Sequence, residues 1–327
     1  MTDRGVGRSD ATRTVWRPGV PLDLDATVVR FTVSSDEAVN RYDGEVFERV
    51  LEGEDGGLYR LRVRSGGSDP ERPRLGIEIH PAARDRKVLA GLRKTLFHIL
   101  AVDDDLEAFG RVAAKDPVLR PVVRKFRGLR LARVPTLFEA LVTAVTAQQV
   151  NLAFAGTVRA RAVRAYGKKL VVDGAAHYAF PSPAAMVRAT ETRFRKMKFS
   201  GAKARTLIGL AGAFASGEMD GVVRLPTPEA VERLTRLKGI GRWTAETALL
   251  RGAGRLDAFP AEDLGVRKII AEFYGGGIAS ARSPKAQGDA ARKVAERWGR
   301  FAPYAMTYLF HAKRTGEGGD AIGGPAG

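Results

Sequence analysis

The sequence predicts a mostly helical protein that carries a small antiparallel α+β domain at its N-terminus. Three observations lead there. Short runs with partial two-residue alternation are confined to the segment before Pro81. Apolar residues recur at helical spacing almost everywhere after it. The local charge also changes sign: residues 21–59 hold ten acidic and three basic side chains, a net of −7, whereas residues 117–170 hold eleven Lys or Arg against one Glu, a net of +10.

Taken in order, residues 1–14 read as a disordered N-terminus and 15–100 as the α+β domain. Its expected strands are Val46–Leu51, Leu58–Val63 and Leu75–Ile79, separated by Gly- or Asp-rich turns. A helical core follows over 101–315. Leu89, Leu92, Leu96 and Ile99 form one apolar stripe, and Phe138, Leu141, Val142 and Val145 another. Helical patterns continue at 152–165, 183–198, 202–216, 228–236, 242–251, 261–273 and 286–313, and the Gly-rich tail 316–327 reads as disordered.

Composition narrows the function. A chain of 327 residues with 44% hydrophobic and 28% charged side chains is that of a globular protein. No apolar run approaches the roughly 18 residues of a membrane span, and no secretory h-region opens the chain, so the expected location is the cytoplasm. Zero Cys excludes disulfides, thiolate zinc and iron–sulfur clusters. The four histidines show no metal-binding spacing, and no phosphate or dinucleotide fingerprint is present. A net charge of +17, concentrated in a basic tract, points to a polyanionic partner.

The most informative stretch is Leu237-Lys238-Gly239-Ile240-Gly241-Arg242-Trp243-Thr244-Ala245. Two glycines around one apolar residue permit a tight turn, and apolar spacing before it (Val231, Leu234, Leu237) with a second helix from Arg242 makes a helix-hairpin-helix. Such a turn offers unpaired N–H groups at a helix N-terminus, a seat for a phosphate oxygen. Asp263 follows eighteen residues on; before it, Pro260 suits the first position of another helix and leaves Glu262 and Asp263 in its first turn. Periodicity does not separate these two acids, and Asp263 pairing with Arg267 is the bland alternative.

The hairpin together with Phe259-Pro260-Ala261-Glu262-Asp263-Leu264-Gly265-Val266-Arg267-Lys268 resembles the helix-hairpin-helix (HhH-GPD) DNA glycosylase superfamily. Pro135 to Asn151, Phe180 to Pro183, Lys203 to Leu207 and Ala295 to Ala305 are similar to its 3-methyladenine DNA glycosylase II subfamily, as is the extra N-terminal sheet domain. The resemblance covers roughly residues 15–315 and implies a two-part helical core with the active site in the cleft. It also implies base excision repair: release of alkylated bases such as 3-methyladenine or 7-methylguanine from double-stranded DNA after base flipping, by a monomer associated with the nucleoid.

The resemblance makes Asp263 the catalytic carboxylate. Trp243 stands where bifunctional members place the Lys nucleophile, which implies a monofunctional enzyme without lyase activity. Trp243 is then free to stack on an extruded base. Phe310 stands where the subfamily can place Trp and Thr247 where it can place Tyr, which leaves hypoxanthine or 1-methyladenine-type lesions open. Tyr304, with Tyr308, and Phe138 are further pocket candidates. Gln149 falls at the wedge position, with Gln148 and Asn151 as lesser polar contacts. Lys238, Gly239, Gly241, Arg242, Thr244 and Lys203, with Arg205, are the phosphate-binding candidates. No cofactor is expected beyond a monovalent cation (Na+ or K+) on the carbonyls of Leu237 and Gly239. A non-catalytic hairpin DNA-binding protein and a glycosylase–lyase are the competing readings.

Overall fold

The computed structural model describes residues 11–275, 277, 278 and 280–316. The segments 1–10 and 317–327 of the two expected tails lie outside them. Five antiparallel strands, β1 (Thr12–Trp16), β2 (Arg41–Tyr42), β3 (Val46–Glu52), β4 (Leu58–Ser65) and β5 (Leu75–His80), form one sheet in the order β1-β5-β4-β3-β2. Residues 12–14, read as disordered, are therefore ordered: Thr12 pairs with Ile79 and Trp16 with Leu75, and the buried Trp16 ring secures this edge strand. Alternation places Phe47, Leu61, Val63, Leu75, Ile77 and Ile79 on the buried face. Helix α1 (Leu24–Val28) and helix α2 (Arg86–Ile99) cover that face, the latter through Val88, Leu92, Leu96 and Ile99.

The helical core comprises α3 (Leu106–Ala113), α4 (Leu119–Lys125), α5 (Leu137–Ala147), α6 (Leu152–Tyr166), α7 (Pro183–Met186), α8 (Glu191–Lys196), α9 (Gly201–Ala215), α10 (Thr227–Thr235), α11 (Arg242–Gly252), α12 (Leu264–Tyr274), α13 (Pro284–Ala295) and α14 (Ala302–Arg314). Its apolar centre is continuous and is built on α5, α9, α11 and α14. Gly252 lets α5 and α11 touch: a Cβ there would lie 2.7 Å from the Thr136 carbonyl oxygen and 2.8 Å from the Ala140 side chain.

Three local expectations need correction. A hairpin of β6 (Lys169–Val172) and β7 (Ala175–Tyr178) sits between α6 and α7, turning at Asp173-Gly174, both at positive φ. The 183–198 pattern breaks into α7 and α8, because Thr190 caps a new helix through Arg193. The 286–313 pattern breaks at Gly299, whose φ of 52° and ψ of −135° end a 3-10 segment before α14.

The sheet and the core are joined by buried polar links. Arg49 of β3 donates to Glu139 of α5 at 2.6 Å and to Asn40 at 2.5 Å, with all three side chains buried. Arg130 donates to the carbonyls of Pro21, Ala101, Val102 and Asp104. Among the described residues no helix is long and apolar enough to cross a membrane.

Candidate active site at the hairpin and helix α12

Helix α12 does not begin at Pro260. Backbone turns from Ala261 to Phe259 and from Asp263 to Pro260 delay it, and it starts at Leu264 with Asp263 as N-cap. Asp263 Oδ1 accepts from the Gly265 N–H at 2.8 Å and the Val266 N–H at 3.1 Å, so the side chain satisfies two orphan donors of the helix. Its other oxygen, Oδ2, accepts from the indole Nε1–H of Trp243 at 3.0 Å. The carboxylate is half-buried in the wall of a cavity of about 580 Å³.

The same turn separates the two acids. Glu262 is exposed, does not line the cavity, and lies over Gly288 of α13, where an added Cβ would come within 2.9 Å of it. Arg267 donates to Gln287 rather than to Asp263. Only one of the two acids faces the cavity.

Trp243, Thr247 and Phe310 line the cavity with Asp263. Trp243 and Thr247 are one turn apart on α11 and share a face. Phe310, 40% exposed, stands at the cavity rim close to Gly265. Two other pocket candidates do not line it. Phe138 packs into the core, with its ring centroid 5.4 Å from Phe214 and 6.5 Å from Phe180. Tyr304 is fully buried and donates to Asp104 at 2.7 Å, while Asp104 is gripped by Arg133 at 2.5 and 2.6 Å. Tyr308 is buried against Phe109. A pocket stripe and a core stripe have the same helical spacing, and burial alone distinguishes them.

The hairpin joins α10 to α11. Gly239 carries the turn at φ 86°, and Gly241 is the N-cap of α11 with no side chain capping it. Lys238, Gly239, Gly241 and Arg242 are exposed here, with Arg242 also bonded to the buried Glu246 at 2.9 Å. Thr244 is buried and takes part through its hydroxyl: Gln148 Nε2 donates to Thr244 Oγ1 at 3.0 Å and to the Gly239 carbonyl at 3.1 Å. Leu237 O accepts from the Ile240 N–H, so each of the two proposed cation-binding carbonyls keeps one lone pair. Lys203 turns inward instead, donating to the Thr146 carbonyl at 2.8 Å in the last turn of α5, and burial lowers its pKa. Arg205 pairs with Glu191 at 3.1 Å. Gly239→Ala combines a left-handed φ with a Cβ 2.1 Å from Thr206 Oγ1. The expected cost is about 1–3 kcal/mol, read as a lower urea midpoint with unchanged slope.

Between α5 and α6, Gln149 is exposed with φ 54°, a conformation that non-glycine residues seldom adopt. The anchored Gln148 precedes it and Asn151 follows as N-cap of α6, bonded to the Phe154 N–H at 2.8 Å. Asn151 therefore fixes the loop. Sequence reasoning missed Arg30 and Arg251, both in the cavity wall. The Trp243, Thr247, Arg251 spacing on α11 was a usable signal for the second, whereas Arg30 gave none.

The comparisons with known proteins agree with this geometry. Residues 142–297 match the model of the HhH-GPD superfamily base excision DNA repair protein. The chain is 33% identical over 211 residues to a DNA-3-methyladenine glycosylase of Bacillus subtilis, covering 64% of this chain and 68% of that one. It superposes on the 3-methyladenine DNA glycosylase of Archaeoglobus fulgidus with a TM-score of 0.75 at 26% identity, over 91% of this chain and 98% of that one. It also shares its fold with a Clostridium acetobutylicum 8-oxoguanine glycosylase/lyase solved with double-stranded DNA, at a TM-score of 0.70 and 19% identity over 93% and 98% of the two chains. The chain belongs to the helix-hairpin-helix (HhH-GPD) superfamily of base excision DNA repair proteins, in its DNA-3-methyladenine glycosylase branch.

Proposed function

We propose that the protein is a monofunctional DNA glycosylase that hydrolyses the bond between an alkylated base and its deoxyribose in double-stranded DNA. The observation that carries this reading is Asp263, held in the cavity wall by two backbone N–H groups and the Trp243 indole. Loss of the base leaves positive charge on the sugar, and a carboxylate fixed beforehand stabilises that charge without reorganising. The same group can orient the attacking water or take its proton. The uncapped N–H groups of the hairpin and α11, with Lys238 and Arg242 beside them, suit a DNA phosphate. A monovalent cation on the Leu237 and Gly239 carbonyls would add charge to that grip. Gln149, exposed between α5 and α6, would fill the gap left by the extruded base.

Trp243 supports hydrolysis over lyase chemistry. Its indole nitrogen is occupied by Asp263 and is no nucleophile toward a sugar carbon, so water remains the acceptor of the glycosyl group. Trp243 and Phe310 supply aromatic surface for an extruded base.

Methylated duplex DNA incubated with the enzyme and analysed by chromatography is expected to release free methylated bases, with the strand unbroken and no adduct trapped by borohydride. A trapped adduct would overturn the monofunctional reading. Tight DNA binding without base release would leave a hairpin DNA-binding protein.

A further inference from the structure

The cavity wall carries positive charge that the glycosidic chemistry does not use. Arg251 of α11 and Arg30, from the 3-10 segment Val29–Val33 of the N-terminal domain, both line the cavity that holds Asp263. They converge on one acceptor: each Nη1 donates to the Ala132 carbonyl, at 3.0 Å from Arg251 and 3.2 Å from Arg30. Among the described residues neither guanidinium has a carboxylate within 4 Å, although the nearby Arg133 and Arg159 are paired with Asp104 and Glu37. Arg30 is exposed over part of its length, and the protein packed around its guanidinium, with Arg159 nearby, lowers its pKa; burial with Arg30 and Arg133 nearby lowers that of Arg251, opposed by the charge of Asp263.

A guanidinium has five donors, so sharing one carbonyl leaves most of them available to the cavity. Arg251 lies two turns beyond Trp243 on the Trp243–Thr247 face, about 12 Å along the helix axis, and helical side chains lean back toward the N-terminus. An extruded base entering beside Asp263 and Trp243 would therefore present its far edge to this pair. Such an edge is read by its donors and acceptors. A guanine-type edge offers an exocyclic oxygen, which accepts from Arg, whereas an adenine-type edge offers an amino group, which opposes Arg donor to donor.

We propose that Arg30 and Arg251 form a specificity clamp that selects purines bearing an oxygen at C6 over purines bearing an amino group at C6. The clamp deepens the glycosylase reading and rests on it. It also assigns the N-terminal domain a direct part in substrate choice, through Arg30.

One reaction tests it with an internal standard. DNA treated with a methylating agent carries 7-methylguanine and 3-methyladenine together, both cationic, so the change in their release ratio from wild type to variant isolates the edge from the charge. Wild type is expected to release both bases and to excise hypoxanthine from a defined duplex. Arg251→Met and Arg30→Met are each expected to lower the ratio of 7-methylguanine to 3-methyladenine by about tenfold, with thermal melting confirming that each variant is folded. Arg251→Lys keeps the charge and loses the fork, and its ratio should fall between those of wild type and Arg251→Met. An unchanged ratio in folded Met variants that still release bases overturns the clamp and leaves the glycosylase reading intact. Release of neither base by wild type overturns both.

Discussion

Asp263→Asn is expected to lower the rate of base release by about two to three orders of magnitude, the scale associated with removing one electrostatic contact to a transition state. DNA binding and folding should survive. Asn is as good an N-cap as Asp, and its oxygen can keep the bonds from Gly265 and Val266. What fails is charge: the amide cannot balance an oxocarbenium-like sugar, and its NH2 meets the Trp243 N–H donor to donor. Glu262→Gln is the control, because that side chain lies over α13 and does not reach the cavity. Single-turnover release from methylated DNA measures both. Equal loss in the two variants would mean that the helix start, and not one carboxylate, is what matters.

The second large effect concerns stability. Glu139→Ala should cost about 3–5 kcal/mol, because it strands the buried guanidinium of Arg49 between the sheet and α5. Asn40 would remain as a hydrogen-bond partner, and a neutral amide oxygen does not replace a carboxylate. Replacing both partners, as in Arg49→Met with Glu139→Leu, should recover most of the loss, since an apolar pair of similar volume carries no desolvation penalty. Denaturant unfolding of Arg49→Met, Glu139→Leu and the double variant gives the coupling directly. Full additivity would show that the pair contributes nothing across the junction.

What could be read from the chain follows from the range of the interactions concerned. The hairpin and the three expected strands were legible because their signals are local: paired glycines, alternation and turn residues within ten positions. Asp263 was legible through its resemblance, but its separation from Glu262 required the turn at Pro260, where backbone hydrogen bonds postpone α12 by a full turn. Phe138 and Tyr304 were misplaced because apolar spacing is blind to which face of a helix meets a cavity. Lys203 looked like a free cation and is committed to a helix C-terminus 57 positions away in sequence. Arg30 and Arg251 meet across 221 positions through a third residue's carbonyl, a relation that no pattern in one sequence displays.

Gln148 has a mechanical consequence. Its one amide group bonds the Gly239 carbonyl and the Thr244 hydroxyl, so the tip bearing Gln149 and the hairpin turn are strapped together within the fold itself. The spacing between Gln149 and the hairpin is thereby set during folding. If the two elements contact DNA as proposed, their separation does not adjust to the duplex, and any misfit falls on the DNA, where weakened stacking at a damaged site yields first.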